Sequence, residues 1–488
     1  MNQIARSVTS LCCMLSVFSL PAVAKNDKPN IIFILADDLG WADLPVYGNK
    51  FNEAPNISRL AEEGIRFTNA YAACPVCSPT RASIMSGQYP ARVGIIDFIP
   101  GHWRPYEKVI VPINRTQYLP EEIITIGEAM KSAGYATGYF GKWHLGDDSK
   151  HHPLNQGFDE ANVGQGYYHV RFSPPRAVGS SKRLSELLTD FGVEFIEKNK
   201  DHPFFLFLAH YDVHVQLDAD QNLINKYLHK AKVEGYPCNA IYAAMIEHLD
   251  RSVERISEKL KELGLSENTI LIFFSDNGGL NRRFDRIPLL AESKKHIYKN
   301  DSLLYIATSN APLRGEKGTV YEGGIREPLI VKWPGKIKTG TVSNALVTSV
   351  DFFPTLVKMA GGKLPDKQTF DGKNIIPELE GKNEETERTI FWHYPVYHHD
   401  VPASAMRKGD WKLIQNLEDN TYKLYNLEDD ISESHDLSSL YPKKIKELSA
   451  LLDQWRNDVG ARLPVPNSDF NPEKRSLWEE VHLDANHH

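Results

Sequence analysis

The sequence predicts an α/β protein with a large, mostly parallel sheet flanked by helices, followed by a smaller antiparallel sheet with one helix. Four short, continuous apolar runs are typical of strands that are buried on both faces. Helical patterns of apolar residues lie between these runs, and alternating strands and helices favour a parallel sheet. After Pro365 the pattern changes to short strand candidates separated by turns, which indicates the antiparallel part.

The strand candidates of the larger sheet end in polar residues. The apolar runs are 31–35, 135–140, 204–208 and 270–274, and the helical patterns are 57–64, 124–134, 184–199 and 240–263. In open α/β sheets, ligands bind beyond the carboxyl ends of the strands. The side chains that follow the four runs are therefore candidate site residues: Asp37, Asp38, Lys142, His144, His210, His214, Asp276 and Asn277.

The C-terminal part contains the short strand candidates 390–394, 403–406, 411–415 and 423–425, followed by an amphipathic helical pattern over 443–459. This change predicts an N-terminal catalytic domain over residues 25–375 and a C-terminal subdomain over 376–488. We place the boundary between residues 365 and 385.

Residues 1–24 have the features of a secretory signal peptide: Arg6, an apolar core over 11–20 and the small-x-small sequence Ala22-Val23-Ala24. We therefore expect an exported protein, either periplasmic or secreted. No other stretch is apolar for long enough to predict membrane insertion. A net charge of −7 and a pI near 6.2 argue against nucleic acid as the main partner.

Oxygen ligands dominate the candidate site. Asp37, Asp38, Asp276 and Asn277 suit a hard divalent cation such as Ca²⁺ or Mg²⁺. A single aspartate after a strand is usually a helix cap or turn residue, so this prediction rests on the joint position of these residues. Lysines and histidines alongside indicate an anionic tetrahedral substrate, whose charge cations neutralise while a histidine protonates the leaving oxygen.

Cys77 opens the stretch Cys77-Ser78-Pro79-Thr80-Arg81 and lies three residues after Cys74. The C-x-x-C spacing alone leaves open a redox pair, a disulfide, or part of a zinc site completed by histidines. Outside the predicted leader, Cys238 is the remaining cysteine. Three cysteines are too few for a disulfide scaffold, so a hydrophobic core must stabilise the fold.

The chain resembles the type I, formylglycine-dependent, arylsulfatase-like sulfatases of the alkaline phosphatase superfamily. The resemblance runs over nearly the whole chain after the leader. It is carried by the following segments: Cys77 to Arg81 with Ser86-Gly87, 138–146 around Lys142 and His144, Ala36-Asp37-Asp38-Leu39-Gly40, 313–326 around Lys317, and 349–356.

The resemblance implies that a maturation enzyme converts Cys77 to 3-oxoalanine, also called formylglycine. The hydrated aldehyde would attack sulfur, and its later collapse would release sulfate. The implied ligands of Ca²⁺, which we prefer to Mg²⁺, are Asp37, Asp38, residue 77, Asp276 and Asn277.

The resemblance also implies roles for the remaining site residues. Arg81 and Lys142 would steady the hydrated aldehyde, and His144 would accept its proton. Lys142, His214 and Lys317 would contact the sulfate, with His214 as the proton donor to the leaving group. The family often has His-x-Pro where this chain has His214-Val215-Gln216, so His210 remains an alternative to His214.

The loops 97–118, 151–176, 282–297 and 394–400 contain cationic and aromatic residues that suit an anionic sugar: His102, Trp103, Arg104, His169, Arg171, Arg282, Arg283, His398 and His399. The sequence thus predicts a secreted sulfuric-ester hydrolase acting on a sulfated carbohydrate, such as an algal polysaccharide or a glycosaminoglycan. Two alternatives remain open. One is a phosphate or phosphonate monoester hydrolase on the same scaffold, and the other is an inactive protein that binds sulfated glycans.

Overall fold

The structure is a computed structural model that describes residues 28–179, 181–383 and 385–480. The predicted signal peptide lies outside the described residues. The strands are β1 Asn30–Ala36, β2 Ile65–Phe67, β3 Ala70–Tyr71, β4 His102–Trp103, β5 Val109–Ile110, β6 Ala136–Gly141, β7 Glu160–Val163, β8 Phe204–Ala209, β9 Thr269–Ser275, β10 Leu329–Lys332, β11 Thr341–Ser343, β12 Val347–Thr348, β13 Thr389–Tyr394, β14 Ala403–Lys408, β15 Trp411–Asn416, β16 Tyr422–Asn426, β17 Val465–Pro466 and β18 Glu479–Glu480.

The α-helices are α1 Pro55–Glu62, α2 Cys77–Ser86, α3 Pro90–Val93, α4 Ile126–Ser132, α5 Leu184–Asn199, α6 Gln221–Leu228, α7 Ala240–Glu262, α8 Glu322–Ile325, α9 Phe352–Met359, α10 Ile376–Leu379 and α11 Pro442–Val459. Short 3-10 turns occupy Trp41–Asp43, Pro45–Tyr47, Pro153–Asn155, Ser266–Asn268, Glu292–Tyr298, Ser302–Leu304 and Ser349–Asp351.

The large sheet has the strand order β11-β2-β10-β9-β1-β8-β6-β7. The four predicted strands correspond to β1, β6, β8 and β9, and they form the contiguous parallel block β9-β1-β8-β6. The strand β10 is antiparallel to both of its neighbours. The predicted α/β class with a mostly parallel sheet is confirmed.

Burial on both faces explains why the predicted strands are continuously apolar. Every residue of β1 is buried. Ile32 and Ile34 point into the core formed with α5 and α7, whereas Phe33 and Leu35 point into the opposite core with α4 and α9. Because consecutive strand residues face opposite sides, a strand between two helical layers needs apolar residues at every position.

The C-terminal part contains the antiparallel meander β13-β14-β15-β16. Helix α11 packs Leu448, Leu452 and Trp455 against Met406 and Leu413 of this sheet. The predicted smaller antiparallel sheet with one helix is therefore confirmed. The boundary between residues 365 and 385 stays a prediction.

Buried charges join the C-terminal sheet to the catalytic part. The Nζ atom of Lys412 lies 2.8 Å from carboxylate oxygens of both Glu322 and Glu433, and all three side chains have no exposed surface. Glu433 also accepts a hydrogen bond from the backbone N–H of Glu322 at 2.7 Å, and its carbonyl oxygen accepts one from Arg314 at 2.7 Å. The loop between Arg314 and Glu322 is thereby fixed at both ends.

The segment after α11 returns to the larger part of the molecule. Strand β17 pairs with β5, and β18 pairs with β4. This return brings Trp478 to the same face as His102 and Phe284. Among the described residues, no helix combines the length and the apolar character needed to cross a membrane.

Candidate active site

The carboxyl ends of the parallel strands meet at one cavity of about 340 Å³. Asp37 and Asp38 follow β1, Lys142 and His144 follow β6, His214 follows β8, and Asp276 and Asn277 follow β9. Of the predicted catalytic residues, the cavity is lined by Cys77, Lys142, His144, His214 and Lys317. Arg81 and the candidate cation ligands Asp37, Asp38, Asp276 and Asn277 lie buried beneath it.

Cys77 is the first residue of α2, and its thiol faces His144. The Sγ atom lies 3.3 Å from His144 Nδ1, while His144 Nε2 donates to the carbonyl of Ile99 at 2.6 Å. Because a neutral imidazole has one donor and one acceptor nitrogen, the acceptor lone pair of His144 points at residue 77. Burial, and then the charge of Lys142, lower the pKa of His144 to about 3. His144 is therefore neutral and placed to accept a proton from residue 77.

Arg81 lies one helical turn after Cys77 and binds Asp276. Its Nε and Nη2 atoms lie 2.9 and 2.7 Å from Asp276 Oδ2, and Nη1 donates to the carbonyl of Lys142 at 2.7 Å. Burial and the neighbouring Asp37 raise the pKa of Asp276 to about 8. Arg81 thus fixes both a site carboxylate and the backbone turn that carries Lys142. Its contact with the hydrated aldehyde stays a prediction.

Each of the two lysines pairs with one of the adjacent aspartates. Lys142 Nζ lies 2.6 Å from Asp37 Oδ2, and Lys317 Nζ lies 2.7 and 2.9 Å from the two oxygens of Asp38. Burial alone would raise the pKa values of both carboxyl groups, but the lysines lower them below the usual range. The adjacent acids therefore remain charged in a buried site.

Two site residues have a left-handed backbone conformation, with φ of 63° at Asp38 and 61° at His144. Non-glycine residues rarely adopt this conformation, and such strain is concentrated at functional sites. In both residues it directs a polar side chain from the end of a buried strand into the same site.

The residues fit a divalent cation. Asp37 Oδ1 and Asn277 Oδ1 are buried without a hydrogen-bond partner among the described residues. Ligand atoms of Asp37, Asp38 and His214 lie within 4.8 Å of one another. Unpaired, buried carboxylate and amide oxygens are suitable ligands for a hard cation, and leaving them unpaired is costly. A bound cation would supply positive charge beside the ester oxygens.

The geometry distinguishes the two candidate proton donors. His214 Nδ1 donates to the carbonyl of Val215 at 2.6 Å, which leaves Nε2 3.8 Å from Asp38 Oδ2. His210 is fully buried on the other side of the strand end, with Nε2 3.0 Å from Ser252 Oγ on α7. Since His214 lines the cavity and His210 does not, the geometry favours His214.

In the described part of the chain the cysteines form no disulfide, and none of them belongs to a candidate metal-binding group. Cys74, Cys77 and Cys238 are all free, so Cys74 and Cys77 do not form a disulfide. Burial raises the pKa of the Cys74 thiol well above its usual range. A buried thiol with a raised pKa is unreactive.

Part of the predicted substrate-binding set reaches the cavity. His102, Arg283, His398 and His399 line it, whereas His169 and Arg171 are exposed and do not. Phe98, Gln165 and Phe284 also line the cavity and lie in the predicted loops, although they were not named individually; Tyr211, Val215, Leu280 and Trp478 line it from outside those loops. Tyr211 follows β8, so the strand-end rule could have found it, whereas no sequence signal brings Trp478 to this site.

Calcium should raise the thermal stability of the protein, because it would be coordinated by the buried oxygens of Asp37 and Asn277 that have no hydrogen-bond partner among the described residues. A ligand at 100 times its Kd stabilises a protein by about 2.7 kcal/mol. We expect Ca²⁺ to raise Tm in differential scanning fluorimetry, EDTA to reverse the shift, and Asp37→Asn to abolish most of it. The matched variant Asp250→Asn alters a buried aspartate that caps α1 and should retain the shift. A calcium response that persists in Asp37→Asn would contradict this assignment.

The fold and site together define an α/β protein with a mostly parallel sheet, whose strand ends bring two lysines, two histidines and a candidate cation site to one cavity. The sulfatase family model matches residues 29–362, and a second model, N-sulphoglucosamine sulphohydrolase, C-terminal, matches residues 315–458. The chain belongs to the sulfatase family, within the alkaline phosphatase superfamily, and is a sulfatase-family enzyme.

Two relatives and one solved structure align with most of the chain. A sulfatase of Formosa agariphila is 33% identical, with 86% of this chain and 86% of the relative aligned. The N-acetylgalactosamine-6-sulfatase of Sus scrofa is 33% identical over 78% of this chain and 72% of that protein. The crystal structure of Ps i-CgsB in complex with k-i-k-neocarrahexaose superposes with a TM-score of 0.72 at 29% identity, covering 88% of this chain and 93% of that one.

Proposed function

We propose that this protein removes sulfate from a sulfated carbohydrate, with Cys77 converted to formylglycine. The observation that carries this proposal is the convergence of Cys77, two lysines and two histidines on one cavity that also has aromatic and cationic walls. Relatives support the substrate class, because one is an N-acetylgalactosamine-6-sulfatase and one structural neighbour was solved with k-i-k-neocarrahexaose.

Different residues of the chain would perform different steps of ester cleavage. Lys142 and Lys317 provide positive charge for the non-reacting sulfate oxygens, since both ammonium groups lie at the cavity floor. His214 presents Nε2 to the cavity. Burial, followed by the charge of Lys142, lowers the pKa of His214 to about 4, so it would protonate the leaving oxygen once the charge of a bound anionic ester raises that pKa. His144 Nδ1 would accept a proton from residue 77. The hydrated aldehyde supplies the nucleophilic oxygen.

Two further proposals accompany the function. Ca²⁺ is the cation we propose for Asp37, Asp38, Asp276, Asn277 and the converted residue 77, because their ligand atoms are oxygens and Ca²⁺ tolerates irregular geometry. We also propose export to the periplasm or beyond the cell, on the basis of the signal-peptide pattern in residues 1–24.

Conversion of Cys77 is tested by mass spectrometry of the tryptic peptides from protein made with a formylglycine-generating enzyme. We expect the mass of the aldehyde or its hydrate at Cys77 and an unmodified thiol at Cys74. Cys77→Ala should release no sulfate, whereas Cys74→Ala, which changes the neighbouring cysteine, should remain active. Full activity with unmodified Cys77 would refute the proposal.

The reaction class is tested by measuring kcat/KM for matched sulfate and phosphate esters of one sugar with the same matured sample. We expect kcat/KM to be higher for the sulfate ester than for the phosphate ester. Preference for the phosphate ester would favour the phosphomonoesterase alternative, and binding of sulfated glycans without any release would favour an inactive binding protein.

A further inference from the structure

Three histidines form part of the cavity wall above Cys77: His102, His398 and His399. His398 and His399 come from the C-terminal part, in the loop between β13 and β14. The ring of His398 packs directly on Gly318, where an added Cβ would lie 1.9 Å from His398 Nδ1. Because Gly318 follows Lys317, this imidazole borders the loop that carries a proposed sulfate-contacting lysine.

The hydrogen bonds between these histidines determine the positions of their protons. His399 Nε2 lies 2.8 Å from the carbonyl oxygen of Arg282 and must donate, since a carbonyl only accepts. A neutral His399 then has its lone pair on Nδ1, which lies 2.7 Å from His398 Nδ1. His398 must donate across this contact, because the reverse arrangement would leave the Arg282 carbonyl facing a lone pair. The acceptor lone pair of His398 is therefore on Nε2.

The electrostatic surroundings keep His398 neutral. Burial, followed by the neighbouring His399 and His102, lowers the pKa of His398 well below its usual value. Within residues 28–179, 181–383 and 385–480, His398 Nε2 has no hydrogen-bond partner, and it is not among the polar atoms sealed from solvent. The cavity thus contains an unused, accessible hydrogen-bond acceptor.

An acceptor at this place discriminates between parts of a substrate. Sulfate oxygens only accept hydrogen bonds, so they cannot bind the lone pair of His398 Nε2 and are directed to Lys142 and Lys317. A hydroxyl group can donate to it. The rings of Phe98 and Phe284, at 6.2 and 5.5 Å from that of His398, leave apolar surface around the acceptor for the C–H face of a sugar.

We propose that His398 Nε2 accepts a hydrogen bond from a hydroxyl of the sulfated sugar ring and so determines specificity for hydroxyl-bearing esters. This inference rests on the proposed function, because it requires a carbohydrate substrate. It adds a specificity residue from the C-terminal part of the chain to a site whose chemical groups come from the larger sheet.

His398→Phe tests the proposal, since it keeps a flat ring and removes the acceptor. The substrates are galactose, N-acetylgalactosamine and glucosamine carrying one sulfate, and 4-nitrophenyl sulfate, which has no hydroxyl. We expect kcat/KM to fall about 10- to 100-fold for the preferred sugar sulfate. For 4-nitrophenyl sulfate it should stay within about threefold of the wild-type value. The control His435→Phe replaces an exposed histidine of the C-terminal part and should leave both values unchanged.

Monodeoxy analogues of the preferred sugar sulfate identify the partner hydroxyl. For one analogue, kcat/KM of the wild-type enzyme should fall by a similar factor relative to the parent sugar sulfate. His398→Phe should not lower kcat/KM for that analogue further, since the hydrogen bond is already absent. If His398→Phe does not fold, a crystal structure of Cys77→Ser with the sugar sulfate decides: a hydroxyl within hydrogen-bond distance of His398 Nε2 supports the proposal, and its absence overturns it.

The outcomes separate this inference from the proposed function. Equal losses on sugar and aryl sulfates, or no loss on either, would overturn the role of His398 while leaving the sulfatase activity on carbohydrates intact. A wild-type enzyme that cleaves 4-nitrophenyl sulfate and none of the sugar sulfates would overturn the proposed carbohydrate function, and this inference with it.

Discussion

Replacement of Lys317 by alanine should lower kcat/KM for sulfate esters about 10²- to 10³-fold. Removal of one preorganised donor to a developing anion typically costs a factor of this size. Lys317 is buried, its ammonium group lies 2.7 Å from Asp38, and it lines the cavity beside Cys77. Its charge is therefore fixed in place before substrate binds, which is the condition for a large electrostatic contribution.

The measurement is steady-state hydrolysis of 4-nitrophenyl sulfate and of one sugar sulfate, with formylglycine content checked in every sample. Lys317→Arg retains the charge but changes its geometry, so it should recover only part of the activity. Lys338→Ala, at an exposed lysine outside the site, should match the wild type. If Lys317→Ala has wild-type kcat/KM at equal formylglycine content, Lys317 does not stabilise the reacting sulfate.

Much of this fold could be predicted because buried strands have a recognisable apolar pattern in the sequence. The continuous apolar runs gave β1, β6, β8 and β9 within a residue or two, since only strands covered on both faces need apolar residues at every position. The strand-end rule then brought Asp37, His144, His214 and Asp276 to one edge of the sheet. The antiparallel strand β10 was not predicted, because its apolar run of three residues, Leu329 to Val331, is too short to distinguish and does not indicate strand direction.

The cavity wall was less predictable because it depends on contacts between distant segments. Trp478 reaches the site only because β18 pairs with β4, and no local pattern encodes that pairing. His398 and His399 were candidates by composition alone. Their tautomers depend on the carbonyl of Arg282, more than 100 residues away in sequence. Long-range packing of this kind determines substrate recognition, whereas the catalytic groups follow from short motifs.

The site loop also depends on the C-terminal part through buried charges. Lys412 bridges Glu322 and Glu433 with no exposed surface on any of the three side chains. Although burial opposes it, Lys412 followed by Arg326 lowers the pKa of Glu322 to about 2. Burial raises the pKa of Glu433 to about 7, against the opposing effect of Lys412. Glu322 also pairs with the buried Arg326 at 2.7 Å, whereas Lys412 is the cation that pairs with Glu433 among the described residues.

Lys412→Met should destabilise the protein by about 3–5 kcal/mol, because it leaves the buried Glu433 without its cation and removes one of the two cations that pair with Glu322. The measurement is Tm and urea unfolding, with Lys408→Met, at a partly exposed lysine on the neighbouring strand, as the matched control. Adding Glu433→Gln to Lys412→Met should recover part of the loss, since it removes the carboxylate that has lost its cation; the effects of the two changes should therefore not be additive. A Lys412→Met variant as stable as the control, or a double variant that loses the sum of both effects, would show that the charges act independently and that this contact does not join the two parts of the chain.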